Sequence, residues 1–272
     1  MNRDDKKKIY IGTQGWNYEG WTGPFYPRGT AKKDMLGLYS KIFNTVEIDS
    51  TFYAIPAAGS VNNWVERTPA DFKFSVKLVS EITHKNRLHA SENILNHFLD
   101  RIRMFGDKLG SILIQLPPDF SPAERRSLSS FLKLLPKGFN FAVEFRDSNW
   151  LETDVRAELK SYNAALTLTD SKWISRERSL ELVDDPTAGF AYIRWLGLRE
   201  LTDYSRVQID RTRELEQWAG AVGKLAAKVP LIFGYFNNHF QGHSPASSNL
   251  FKQMIGLESV SPQELVIQPT LF

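Results

Sequence analysis

Seven polar or charged residues stand at or just beyond the ends of short apolar runs in this 272-residue chain: Glu47, Asp49, Lys77, Gln115, Glu144, Arg146 and Arg194. Carboxylates set beside cations are what general acid–base chemistry and the handling of a developing negative charge both need. Successive side chains of a strand point to opposite faces, so parity tells which of these residues share a side. In the third run Phe72, Phe74, Val76 and Leu78 form one face, which puts Lys77 on the other with Lys73 and Ser75. By the same test Glu47 and Asp49 oppose Val46 and Ile48, and Gln115 opposes Ile112 and Ile114. Glu144 and Arg146 oppose Val143 and Phe145, while Arg194 opposes Ile193 and Trp195. Tyr10, Gly12 and Gln14 form the corresponding set of the first run. Parity leaves the sixth and eighth runs open, with Asp170 and then Asn237 and Asn238 at their ends.

Aromatic side chains cluster in the segments that follow these runs: Trp16, Tyr18, Trp21, Phe25 and Tyr26 after the first, then Phe52, Tyr53, Trp150, Trp173 and Phe240. Flat faces with polar edges suit sugar rings or unstacked bases, and Trp16, Trp21 and Tyr53 are the candidates for such contacts. The plain alternative is a plug over the end of the fold. After the last run, Ser244 and Pro245 read as the N-cap and first turn of a helix, where free N–H groups with Asn238, His243 and Arg194 would hold an anion. His239 and His243 are four apart, but Gly242 argues against a helix and the glutamate of a zinc-protease motif is missing, so no metal pair is assigned. His84, His89 and His97 read as ordinary loop and helix-surface residues.

The elements that must position these groups are eight strand-like runs rich in β-branched and aromatic residues, at 9–15, 45–52, 73–78, 111–116, 140–145, 165–170, 190–197 and 231–238. Helical signals lie between them, at 32–43, 60–67, 152–162, 210–227 and 245–255. Ser91 precedes Ile94, Leu95, Phe98, Ile102 and Phe105 at helical spacing, and Ser121, Pro122 and Glu124 offer a capping box before Leu128, Phe131, Leu132 and Leu135. Only 171–189 is poor in helix signal. Alternating strands and helices require a parallel sheet, and eight strands close naturally into a TIM-like (β/α)8 barrel of the α/β class, with the helix after strand 6 weak or missing. Gly12, Gly15 and Gly20 lack the spacing of a dinucleotide-binding fingerprint, which ranks an open doubly wound sheet lower.

The chain is close to the roughly 250 residues of one such barrel, so a single domain over 9–260 is expected, with a flexible arm at 1–8 and a tail at 261–272. A composition of 42% hydrophobic and 24% charged residues is that of a globular protein. No apolar stretch is long enough to span a membrane, and the charged first residues lack the core of a secretory signal, so a cytoplasmic protein is expected. The absence of cysteine excludes disulfides, thiolate nucleophiles and cysteine-bound metals. A net charge of +3 is too small to argue for nucleic acid by itself.

Several motifs together resemble the family named domain of unknown function 72, the YecE-like proteins. They are Gly12 to Trp16, Gly23 to Pro27, Val46 to Tyr53, Gln115 to Pro118, Ala142 to Arg146 with Trp150, and Tyr235 to Asn238, and they span nearly the whole chain. The resemblance implies a TIM-barrel-like fold and no agreed reaction. Three positions depart from the pattern: Gln14 where a small residue is expected, Asp49 where asparagine is common, and Asp147 where histidine often follows the arginine. Such barrels are also remotely similar to the xylose-isomerase and endonuclease-IV-like group, whose carboxylates and histidines bind metals. Here only Glu47, Glu144 and Asp170 stand in for a divalent-metal set. The terminal Gln268, Pro269, Thr270, Leu271 and Phe272 resemble the short peptide by which bacterial repair and replication proteins dock on the sliding clamp, with Pro269 departing from the usual leucine.

Inward residues at the C-terminal ends of barrel strands form the active-site floor in this architecture. The leading expectation is therefore a hydrolase or lyase for a phosphorylated sugar or nucleic-acid substrate. Glu47 and Glu144 would act as acid and base, Lys77, Arg146 and Arg194 on phosphate, and Gln14, Trp16, Trp21, Asp49, Tyr53, Gln115, Asp170, Asn237, Asn238 and His243 in binding. Alternatives are a glycosidase using Glu47 and Glu144, a Schiff-base aldolase through Lys77, a noncatalytic ligand-binding or clamp-associated adaptor, and a buried ion network that only plugs the barrel.

Overall fold

The computed structural model describes residues 8–197 and 200–265. Eight parallel strands close in chain order: β1 (Lys8–Gln14), β2 (Thr45–Ile48), β3 (Lys73–Lys77), β4 (Leu109–Gln115), β5 (Phe141–Glu144), β6 (Ala165–Ser171), β7 (Ala191–Gly197) and β8 (Leu231–Phe236), with β8 pairing back onto β1. The outer row of each strand is apolar because helices cover it; Val46, Ile48, Phe74, Val76, Ile112, Ile114, Val143 and Ile193 are all buried there. The helices are α1 (Lys32–Ile42), α2 (Ala58–Glu66), α3 (Glu92–Ile102), α4 (Arg125–Leu132), α5 (Thr153–Ser161), α6 (Arg176–Glu181), α7 (Thr212–Lys228), α8 (Asn238–Gln241) and α9 (Ser244–Met254). The segment after β6 carries a short helix, α6, whose start is capped by Ser175 Oγ accepting from Arg178 N at 3.2 Å. Among the described residues no helix is long and apolar enough to cross a membrane.

The barrel interior is layered. At the bottom Tyr10, Leu113, Ala142, Ala165, Phe190 and Phe233 form an apolar plug. Above it runs a string of hydroxyls: Thr45 Oγ1 to Tyr235 OH at 2.7 Å, Tyr235 OH to Ser75 Oγ at 2.7 Å, and Ser75 Oγ to Ser111 Oγ at 2.8 Å. Polar groups so deep in the fold are tolerated because each is hydrogen-bonded. The charged layer sits on this string, and the fold is a filled barrel from bottom to mouth.

Several sequence expectations need correction at the element ends. The run at 45–52 leaves the sheet after Ile48, and Asp49–Phe52 turns over as a 3₁₀ helix at the mouth. The capping box before α4 does not form: Ser121 makes no side-chain cap bond, Pro122–Glu124 is a 3₁₀ turn, and Arg87 draws Glu124 away with bonds of 2.5 and 2.7 Å. Ser244 is the first residue of α9 and His243 its cap position. Gly197 closes β7 at φ +68°, where a Cβ would lie 2.1 Å from His239 O, so only glycine lets α8 approach the strand end. Residues 1–7 of the expected arm and the clamp-like peptide 268–272 lie outside the described residues.

Candidate functional site

Strand parity brings Glu47, Glu144 and Arg194 together at the top of the barrel. Arg194 donates through Nη2 to Glu47 Oε1 at 2.7 Å and through Nη1 to Glu144 Oε2 at 2.6 Å. Tyr192 OH donates to Glu47 Oε2 at 2.6 Å, and Arg146 Nε to Glu144 Oε1 at 3.2 Å. All four carboxylate oxygens thus have a partner, and neither glutamate is exposed. Burial pushes the Glu47 carboxyl up despite the Arg194 charge. Burial acts on Glu144 in the same sense, but the combined charges of Arg194, Arg146 and Lys77 outweigh it and hold this carboxyl below its ordinary value. Glu47 and Glu144 therefore form the floor under the site, anchored to one guanidinium.

Above this floor opens a cavity of about 320 Å³. Eight of the expected residues line it: Gln14, Asp49, Tyr53, Lys77, Gln115, Arg146, Arg194 and Asn237. Gln14 and Asn237 join their side-chain amides at 2.7 Å across the β1 and β8 ends. Arg146 lies against the Trp173 ring, 3.9 Å from its centroid, so Trp173 and Glu144 together fix its guanidinium. Gln115 is turned onto its own strand end, Nε2 donating to Leu116 O at 2.8 Å.

Two charged groups lining this cavity make no side-chain hydrogen bond among the described residues. Among the described residues the Lys77 ammonium has no hydrogen bond or ion pair; it rests 4.0 Å above the Phe52 ring and is only 8% exposed. Burial brings it down to about 8, with the Asp49 charge opposing and the Arg194 charge assisting. The Asp49 carboxylate is the other: its Oδ1 is buried without a hydrogen bond and forms an ion pair with Arg194 Nη2 at 3.7 Å. An unpaired amine and a carboxylate with no hydrogen bond, lining one small cavity, suit a ligand with an electrophilic or anionic centre and a hydroxyl.

Five expected binding residues are elsewhere. Trp21 is fully buried, donating to Asn238 Oδ1 at 3.1 Å. That same oxygen accepts from Ser244 N at 3.0 Å and Ser244 Oγ at 2.9 Å. Asn238 thus occupies the N-terminus of α9, the position where an anion was expected. His243 Nδ1 pairs with Tyr204 O at 2.8 Å and faces a larger outer cavity of about 560 Å³ along α9 with Pro24, Val207, Pro245, Leu250 and Val260. The mouth is the better site despite its smaller volume, because the unpaired Lys77 amine and the Asp49 carboxylate line it. Trp16 packs edge-on against Trp64 at 5.8 Å. Asp170 faces outward, accepting from Trp218 Nε1 at 3.0 Å with Arg176 at 3.8 Å. With Asp170 outside the barrel, the metal set of Glu47, Glu144 and Asp170 is not assembled, and no other cluster of three or more His, Cys, Asp or Glu able to hold a metal occurs among the described residues. Of the remaining aromatics, Trp150 stacks on Phe145 at 4.8 Å as core, and Phe240 is buried.

His84 lines the mouth, against the expectation of an ordinary loop residue. It sits on a π-helical turn, Glu81–Lys85, directly beyond β3. Its place in a segment following a strand was the available signal, since such segments build the mouth of a barrel. Phe52 is the other lining residue that parity does not reach.

The family described as protein of unknown function DUF72 matches residues 10–269. The UPF0759 protein YecE of Escherichia coli is 34% identical over 143 residues, 51% of this chain, and the chain spans about half of that relative, 48%. The UPF0759 protein YunF of Bacillus subtilis is 25% identical, with 94% of this chain and 99% of YunF covered. A crystal structure of a DUF72 family protein from Thermotoga maritima superposes with a TM-score of 0.77 and 25% identity, covering 91% of this chain and 99% of that one. A D-psicose 3-epimerase from Clostridium cellulolyticum has a TM-score of 0.51 at 11% identity over 90% of this chain and 95% of its own, a likeness of fold alone.

Proposed function

Because the chain belongs to the DUF72 family, whose description names no reaction, we propose from the chemistry of the mouth that it is a lyase acting on a small phosphorylated, sugar-like carbonyl compound. The observation that carries this reading is Lys77: a buried, unpaired amine that loses its proton near pH 8 and faces the cavity. Burial and neighbouring cations are the two ways a lysine becomes nucleophilic near neutral pH. Its nitrogen attacks the carbonyl carbon and the carbonyl oxygen leaves as water; the resulting iminium takes up the electron pair of an adjacent bond as the proton or carbonyl fragment on that bond departs, and water then hydrolyses the imine to free the product and the amine. The Asp49 carboxylate accepts a hydroxyl of the substrate, and Arg146 balances the phosphate.

Glu47 and Glu144 serve this chemistry as the anchors of Arg194. That role weighs against a hydrolase or glycosidase using them as acid and base, since a single guanidinium occupies the space between them. A nucleic-acid substrate fits the same reading as an abasic sugar, whose open form is an aldehyde flanked by phosphates.

Pyridoxal 5′-phosphate, an aldehyde carrying a phosphate, followed by borohydride and peptide mapping, tests the proposal. Lys77 is expected to be labelled well ahead of the surface lysines, and the Lys77→Met protein to lose that label. Labelling of Lys77 no faster than the others would remove the lyase and leave the mouth as a noncatalytic binding site. An abasic oligonucleotide in place of the small aldehyde separates the two substrate sources.

A further inference from the structure

One titratable group in the mouth has no part in the chemistry above. His84 Nδ1 lies 2.8 Å from Thr83 Oγ1, and the imidazole meets the Phe52 ring edge-on at 4.9 Å. The same Phe52 ring carries Lys77 Nζ on it at 4.0 Å. Phe52 therefore touches both the amine and the imidazole, which line the same cavity, while Arg146 enters it from beyond β5. The charged groups acting on His84 are Lys77 from β3, Arg146 from the segment after β5, Arg87 from the chain just after its own turn, and Asp119 from the loop after β4. Three cations thus oppose one acid. Burial first, and these cations after it, keep the imidazole neutral down to about pH 4.

We propose that the His84 and Arg146 side of the mouth is an oxyanion subsite for the phosphate of the substrate, and that His84 takes up a proton as the anion seats. The inference rests on the reading of the mouth as the site for a small phosphorylated carbonyl compound, and it adds where the phosphate goes and which group moves protons. Arg146 is oriented for this by Glu144 and Trp173 before any ligand arrives. A dianion placed here offsets the Arg146 and Lys77 charges that keep His84 deprotonated, and an adjacent negative charge favours the imidazolium. The new cation adds to the hold on the phosphate. It also stands beside Lys77 as the acid that protonates the departing carbonyl oxygen: of the two hydrogens in the released water, one comes from the amine and one from His84. The imidazole returns to its neutral form as the charged imine appears, so proton and charge balance.

The test is a pH titration of the His84 imidazole by NMR, with and without inorganic sulfate, which does not itself titrate in this range. The chain has five histidines, and His84→Gln identifies the signal by its loss. The expected result is a rise in the His84 midpoint of about two pH units at saturating sulfate, matched by sulfate binding about tenfold tighter at pH 5 than at pH 8. Arg146→Gln, which removes one of the opposing charges, is expected to raise the midpoint in the absence of sulfate. Sulfate binding with no movement of His84 would place the anion elsewhere and overturn this inference, while labelling of Lys77 would still support the lyase. No sulfate binding at pH 5 would overturn the subsite directly.

Discussion

Arg194 and Glu144 meet at 2.6 Å with side chains no more than 3% exposed, and the other arm of the same guanidinium holds Glu47. Removing one member of such a buried set leaves charge stranded in a low dielectric, which typically costs about 3–5 kcal/mol. Arg194→Met is therefore expected to lower unfolding free energy by about that amount in urea denaturation. Adding Glu47→Gln and Glu144→Gln to the same protein should recover part of the loss. A change below about 1 kcal/mol for the single variant would mean that the network is not the keystone of the barrel mouth.

Lys77 has the opposite sign. Its pKa in the folded protein is brought down to about 8 from an ordinary value of 10.5, so between these values the unfolded chain holds the proton and the folded one releases it. Stability contributed by this group rises as pH climbs from about 8 to about 10.5, and below that window its burial is a cost. Lys77→Met should accordingly be more stable than the parent at pH 7, by at most about 3 kcal/mol, with the advantage shrinking above pH 8. An advantage that does not change with pH would point to packing against Phe52 as its cause.

Asn238 gives a prediction that separates the two ends of the mouth. Its Oδ1 takes three donors, Trp21 Nε1, Ser244 N and Ser244 Oγ. Asn238→Ala should cost about 2 kcal/mol, one part from the lost helix cap and one from the stranded indole N–H. Asp keeps the accepting oxygen, so Asn238→Asp should cost less. Neither substitution should alter sulfate affinity measured by calorimetry, because the α9 start is already filled by a side chain; weaker binding in either would return the anion to that helix.

The strands were readable because one rule governs them: a barrel strand covered by helices must be apolar outside, so Val46 and Ile48 fixed the direction of Glu47, and Phe74 and Val76 that of Lys77. The rule failed where both rows are mixed. In β6 Thr167 and Thr169 fill the interior while Leu166 and Leu168 face helices, and Asp170 shares the outer row because Trp218 of α7 supplies its partner. Hydropathy alone reads an acid as inward there. Trp21 and Asn238 were misplaced for a different reason: they are 217 residues apart, and nothing local in either segment announces the bond that spends them both. His84 was missed because a π-helical turn has no strong sequence signature, and it is the turn that swings the ring back toward Phe52.

The hydroxyl string inside the barrel has a direction. Thr45 Oγ1 also donates to Lys73 O at 2.9 Å, and a hydroxyl has a single hydrogen to give. With that proton committed, Tyr235 must donate to Thr45, Ser75 to Tyr235 and Ser111 to Ser75. The protein thus keeps a polarised row of O–H dipoles beneath its ionic floor, running head to tail from Ser111 through Ser75 and Tyr235 to Thr45. Tyr235→Phe would cut the row at its middle and leave Ser75 and Ser111 free to reorient, turning a fixed internal field into one that responds to whatever charge arrives above it.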